Sequence, residues 1–463
     1  MKVYKMVLIA VLLLVSCQSA VDDINENPNQ IGDVDGSAIF TGIQLADVSA
    51  QMGFLNWAGG VVAGYFVGDG RLSTIQDYGY NNTDSDTPWS NIYIGVVNQA
   101  RKIRSGIDVT NRDFFFGASK VMEAHALGTA TNVFGDIPFT EAGNEDIPNP
   151  TYDGQVAVYG ELQALLDSAI SDLQASGVSG GIAEDLLYGG SSADWIKAAY
   201  TLKARFYLDV GDYASAISAA QSGIANASET MQYIPATPGV GGGNNFLNEL
   251  LNSSTFGGDI SAEGTFLIEL IGTGAESRNN AKTDEVDRFA YYYDGTAINL
   301  AGIAAPDEPM KQISLEENTL IWAEALARGG AGSFDAALAK LNEHRANLRA
   351  GEFFTITTGI YEDYVSADFE NGGIENLDGS LSREDALLRE VIEERYVTFF
   401  NQILGFNDLR RTKKDPAALQ VPVPFNSGAQ HPERFLYPFS EENTNGANVP
   451  QIADIFVKTP INQ

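Results

Sequence analysis

Apolar residues recur at three- and four-residue spacings over residues 112–131, 154–175, 192–209, 213–225, 310–328, 334–349 and 383–402, the period of helices that bury one face. From Ser37 to Phe66 the same period carries two stripes: Val48, Met52, Leu55, Val62 and Phe66 on one face, Phe54, Trp57, Val61 and Tyr65 on another. A helix with two apolar stripes is either sandwiched in a core or shows one stripe to a ligand. Alternation of period two is scarce and short. Stretches rich in Gly, Pro and Asn (235–245, 351–380, 415–450) separate the helical segments. The pattern predicts a mainly α protein with long loops and insertions and few short strands.

Two of the helix junctions repeat. Gly211-Asp212-Tyr213-x-x-Ala216 joins one helical pair and Gly332-Ser333-Phe334-x-x-Ala337 another. This is the hinge of a tetratricopeptide-like hairpin: the glycine ends a helix, the aromatic wedges into the turn, and the alanine permits close helix contact. The copies are far apart, so degenerate hairpins wrapped by insertions are expected, not a regular solenoid.

The amino terminus sets the compartment. Lys2 and Lys5 precede an apolar run, Met6 to Val15, too short to span a hydrocarbon core that needs roughly 20 helical residues. It reads as the apolar part of a secretory signal. Leu14-Val15-Ser16-Cys17 matches the bacterial lipobox, and Cys17 is the only cysteine in 463 residues, so it is expected to be acylated and cannot form an intrachain disulfide. The expected organisation is a signal peptide over 1–16, an acylated tether over 17–36 poor in apolar side chains, and a single helical domain over 37–463.

The charge balance narrows the ligand. With 28 basic and 61 acidic residues the net charge is −33, which argues against nucleic acid, whose binding needs phosphate neutralisation, and more weakly against polyanions. No cofactor is expected. Gly177-Val178-Ser179-Gly180-Gly181 fits G-x-S-x-G but follows a helical pattern and no strand, so a nucleophile elbow lacks its scaffold. His125, His344 and His431 lie far apart without metal-ligand spacing. A Ca²⁺ site around Asp33 and Asp35 lacks the EF-hand spacing. No carboxylate pair is singled out as that of a glycosidase.

Five fragments in order, Cys17 to Asn29, "NVFGDIPFTEA" (132–142), "LYGGSSADWIKAAYTLKAR" (187–205), "EERYVTFFNQILGFNDLRR" (393–411) and "PERFLYPFSEENTNGAN" (432–448), resemble the SusD/RagB outer-membrane lipoproteins of Bacteroidetes. The resemblance implies a tetratricopeptide-built α fold that binds glycan, faces the exterior on the outer membrane, and sits on a TonB-dependent SusC-like transporter. It implies no enzyme. Glu393, Glu394, Arg395, Asp408, Arg410 and Arg411 are expected to form a buried ion-pair network that orders the final helices. Trp195 and Trp322 are assigned to hairpin packing, and the turn at 135–138 to punctuation.

Glycan binding needs exposed aromatic faces with amides or carboxylates nearby. Residues 54–93 are dense in aromatics, Gly, Asn and Asp, so Trp57, Tyr65, Gln76, Asp77, Tyr78, Tyr80, Asn81 and Trp89 are candidate ligand contacts. The resemblance adds Phe256 and Tyr293 through a mid-chain ligand loop. A peptide-binding helical groove is the competing reading; it would show charged clamps where a glycan site shows aromatic rings.

Overall fold

In the computed structural model, residues 35–106, 109–235, 243–254 and 257–463 are described. Cys17, the signal and tether before residue 35, and Phe256 lie outside them. The principal helices are α1 (Gly36–Met52), α2 (Phe54–Val62), α3 (Asn98–Arg104), α4 (Arg112–Phe134), α5 (Gln155–Ser176), α6 (Ser192–Asp209), α7 (Tyr213–Ala220), α8 (Leu315–Ala327), α9 (Phe334–Ala350), α10 (Arg383–Thr398), α11 (Leu404–Arg411) and α12 (Phe439–Asn445). Pairs α4/α5, α6/α7 and α8/α9 pack side by side, and α8 also packs on α7 and α10. Helical hairpins wrapped by loops therefore form the body, as the periodicity predicts.

The first hinge forms as expected. Gly211 takes φ +79°, Asp212 caps α7 by accepting from Ser215 N, and Ala216 is fully buried against Ala204 and Ile321. In the second copy the left-handed turn falls two residues earlier, at Gly330 with φ +79°, while Phe334 and Ala337 are buried as the motif requires. A strong aromatic wedge tolerates a shifted turn because packing, not the turn glycine, holds the two helices together.

Two helical expectations need correction. The segment 37–66 is not one helix: it breaks at Gly53 (φ −90°, ψ −140°), where a Cβ would come within 2.4 Å of Ser49 O. Both stripes then pack inward, and Leu55, Val61, Tyr65 and Phe66 are buried. Residues 310–313 form a strand that pairs antiparallel with Met231–Tyr233, so α8 starts only at Leu315, capped by Ser314. The other described strand pairs join two residues each.

The C-terminal charged residues form two networks. Arg395, Arg411 and Arg328 converge on Glu324 of α8, with Asp408 and Asp415 beside them. Glu393 and Glu394 instead meet Arg278, and Glu394 also meets Arg288 and His344. Arg410 belongs to neither network, because its guanidinium donates to the carbonyls of Asn132 and Glu433.

Close to the first network, Asp209 at the end of α6 accepts from Asn132 Nδ2 at 3.2 Å and Tyr159 Oη at 3.3 Å. Burial pushes its carboxyl up to about 6, although Arg411, Arg205 and Arg395 pull against it. Its folded pKa therefore lies above the unfolded value, so Asp209 costs stability as pH rises from about 4 through 6, and the penalty is complete above that range. Asp209→Asn, which keeps an acceptor, is expected to raise stability by about 2 kcal/mol at pH 8 and to change it little at pH 4. Urea midpoints at the two pH values check this, and an equal shift at both would refute it.

Candidate functional site

A cleft of about 1110 Å³ opens where α3, the segment 138–150 and α12 meet. Its construction begins with a π-helical segment, Asn91–Val97, that runs directly into α3. Such wide turns displace side chains from the ordinary helical rows and recur at functional sites. Here Ile94 is left 60% exposed beside the cleft.

Beneath the cleft lies an aromatic stack, of which Trp89 and Tyr93 reach the lining. Trp89 lies 4.4 Å from Tyr93, 5.2 Å from Phe134 and 6.3 Å from Tyr152 between ring centroids, the last pair stacked. Tyr93 Oη donates to Pro138 O at 2.9 Å, and Tyr152 Oη donates to Glu441 at 3.0 Å. These bonds tie the stack to both walls.

One wall is the loop after Pro138. Asp153 accepts from the amides of Phe139 and Thr140, and Glu141 accepts from Thr151 N and Oγ1; these donors hold the exposed Glu141 carboxyl below its ordinary range. Arg101 donates to the carbonyls of Phe139 and Ala142 and pairs with Glu123 at 2.7 Å, so its charge is spent on the loop. Gly143, at φ +68°, lies where a Cβ would come within 2.9 Å of Asn98 Oδ1. The opposite wall is α12, whose Ser440 donates twice to Asp86.

Asn98, Asn144, Ser440 and Thr444 are exposed at the rim. Amides and hydroxyls both donate and accept, which suits a ligand whose own groups are hydroxyls. These groups share the rim with Lys102 and Glu145, above a buried aromatic stack.

Of the described residues among the ligand contacts singled out from sequence, only Trp89 lines this cleft, and it does so as a buried member of the aromatic stack, 5% exposed. Tyr78 and Trp89, expected to offer exposed aromatic faces, are both buried. Tyr78 adopts φ 59° and its Oη accepts from Asn426 N at 2.9 Å. Tyr65, fully buried, donates to Tyr396 O, and Tyr293 is buried in contact with Phe289 and Phe400. A ring without an open face has nothing to offer a sugar, so these residues serve packing. Trp57 and Tyr80 are half-buried against the core, and Tyr80 meets Phe435 and Ser85. Gln76 accepts from Gly68 N. Asp77 and Asn81 are exposed, and Asn81 caps a turn by accepting from Thr83 N.

The rim residues were not anticipated. Two fragments treated as fold signatures, 132–142 and 432–448, supply Pro138, Ala142, Ser440 and Glu441 to the cleft. The signal available was the polar stretch 143–150 that follows the first and the polar end of the second, 440–448, both rich in Asn and Glu. The G-x-S-x-G run begins at Gly177, the left-handed end of α5, with no strand before it. His125 is buried against Asp47 at 2.8 Å. Among the described residues no cluster of potential metal ligands occurs, and no helix is long and apolar enough to cross a membrane.

The fold and cleft can be set beside known proteins. Residues 28–234 match the SusD-like_2 family model, described as starch-binding and associating with outer membrane. A SusD/RagB family protein from Bacteroides thetaiotaomicron VPI-5482 superposes with TM-score 0.65 at 18% identity, covering 93% of this chain and 99% of its own. A chitin-binding SusD homologue from Flavobacterium johnsoniae gives 0.66 at 17%, covering 92% and 98%, and a SusD homologue from Bacteroides uniformis gives 0.65 at 16%, covering 93% and 100%. No curated protein matches the sequence. The SusD-like family match thus covers residues 28–234, and the fold of SusD-like proteins extends over nearly the whole chain.

Proposed function

We propose that the protein captures a neutral oligosaccharide in the cleft between α3, the 138–150 loop and α12, and passes it to a SusC-like TonB-dependent transporter from a lipid anchor on Cys17. The observation that carries the binding reading is the set of exposed amides and hydroxyls, Asn98, Asn144, Ser440 and Thr444, around a cleft of about 1110 Å³, large enough for several sugar rings. Asp86, Glu145 and Glu441 along the same cleft outnumber Arg101 and Lys102, and together with the net charge of −33 they disfavour an anionic chain there. The family description and the chitin-binding homologue support a glycan as the ligand.

Asn98→Ala combined with Asn144→Ala is expected to weaken binding of the preferred neutral glycan about tenfold while leaving Tm unchanged, since both side chains are exposed and each lost hydrogen bond contributes about 0.5–1.5 kcal/mol. Calorimetric titration with maltooligosaccharides and chitooligosaccharides tests it. Unaltered affinity in the double variant would remove the cleft as the site. Binding of neither series would move the reading toward a peptide.

A further inference from the structure

A second cleft, of about 560 Å³, lies at the end of α11 between its continuation Thr412–Lys414, the segment 417–431 and the C-terminal stretch bearing Lys458. It differs from the first in charge. In a chain with more than twice as many acidic as basic residues, Lys413 and Lys458 line this cleft, with Lys414 next to Lys413 in the chain. Lys413 pairs with Glu433 at 3.1 Å, and Lys414 donates to Ile461 O. Lys458 makes no hydrogen bond or ion pair with any described residue. Asp415, the nearby acid, is engaged by both Nη atoms of Arg328 at 2.8 Å.

The ammonium groups feel one another. Burial and the neighbouring cations Arg410 and Lys458 pull Lys413 below its ordinary value against the pull of Glu433. Burial, Arg411 and Lys458 do the same to Lys414. Converging like charges with one facing carboxylate are relieved when an anion enters.

The cleft also holds a ring suited to stacking. Phe425 is 50% exposed, and its inner side rests on His431 at 4.6 Å between centroids. His431 is fixed by a hydrogen bond with Pro424 O, and burial, with Lys413 adding, brings its pKa down to about 4. The backing of the ring is thus uncharged at neutral pH. Gln430 is exposed at the edge.

We propose that this cleft is a second ligand site, taking a pyranose that bears a carboxylate or a sulfate, with the acid group against Lys413 and Lys458 and the sugar's C–H face on Phe425. A concave site of this size takes one or two rings, and a single exposed ring beside paired cations fits a cyclic anion better than the broad contact of a membrane surface. The site stands apart from the first cleft and shares none of its lining residues, so either can fail without the other.

The test is calorimetric titration of the protein with digalacturonate, a 6-sulfated galactose disaccharide and neutral lactose. At least one anionic sugar is expected to bind ten times or more tighter than lactose, with affinity falling as salt rises. Lys458→Ala, at a half-buried position, and Phe425→Ala, at an exposed one, should each weaken it fivefold or more with Tm unchanged, whereas the Asn98/Asn144 double variant should leave it as it was. Equal binding of lactose and both acids, binding of none, or indifference to both single variants overturns the proposal. So does capture by vesicles containing phosphatidylglycerol, or binding of an acidic peptide, when neither anionic sugar binds.

Discussion

Glu324→Ala is expected to cost about 3–5 kcal/mol of stability, a large part of the 5–15 kcal/mol typical of a folded domain. Glu324 is fully buried on α8. Arg411 grips both its oxygens at 2.6 and 2.9 Å, Arg328 reaches it from one turn further along at 2.8 Å, and Arg395 approaches at 3.1 Å. Removing the carboxylate leaves three buried guanidinium groups with only Asp408 and Asp415. Lost packing is the smaller part of the damage, so Glu324→Gln, which restores volume without charge, should recover little. Urea midpoints of both variants decide the matter, and a shift under about 1 kcal/mol in Glu324→Ala would show that the arginines find other partners.

The same residue predicts an acid limb. Burial pushes its carboxyl up, but Arg411, Arg328 and Arg395 hold it well below the ordinary carboxylate range. A folded pKa below the unfolded one means that Glu324 contributes its stabilisation above about pH 4.5 and loses it as pH falls further. The wild type should therefore lose stability on acidification more steeply than Glu324→Ala does.

Trp89→Ala is expected to lower stability by about 3–5 kcal/mol and to abolish glycan binding in the first cleft as well. Trp89 is packed among Tyr93, Phe134, Tyr152 and Tyr437, so truncation opens a cavity beneath the site and frees the walls that Tyr93 and Tyr152 tie together. An exposed stacking tryptophan behaves otherwise: its removal weakens binding and spares Tm. Measuring Tm and affinity on one variant separates the two roles, and a preserved Tm would return Trp89 to the status of a sugar platform.

The misplacement of the aromatic segment has a definite cause. Residues 76–93 carry no amphipathic period, so nothing local predicts a buried Tyr78 or Trp89. Their cover comes from the other end of the chain: Asn426, 348 positions later, binds Tyr78, Leu436 O accepts from Ser85, and Phe456 meets the Tyr78 ring. The strand at 310–313 escaped for the same reason, since its partner, Met231–Tyr233, lies outside any local window. Glu393 and Glu394 were expected in one network with Arg395, yet both meet Arg278, a partner more than a hundred positions earlier that no local pattern shows.

What the sequence determined by itself is whatever depends on local periodicity and short motifs. The helical segments, the two hairpin hinges and the mainly α class follow from apolar spacing and turn chemistry, because a helix must bury its stripe wherever it ends up. Which aromatics keep an open face, which amides share a rim and where the few lysines gather were decided only by the tertiary structure. Those properties are set by contacts between residues hundreds of positions apart, and the exposure of a side chain belongs to its neighbours in space, not to its neighbours in the chain.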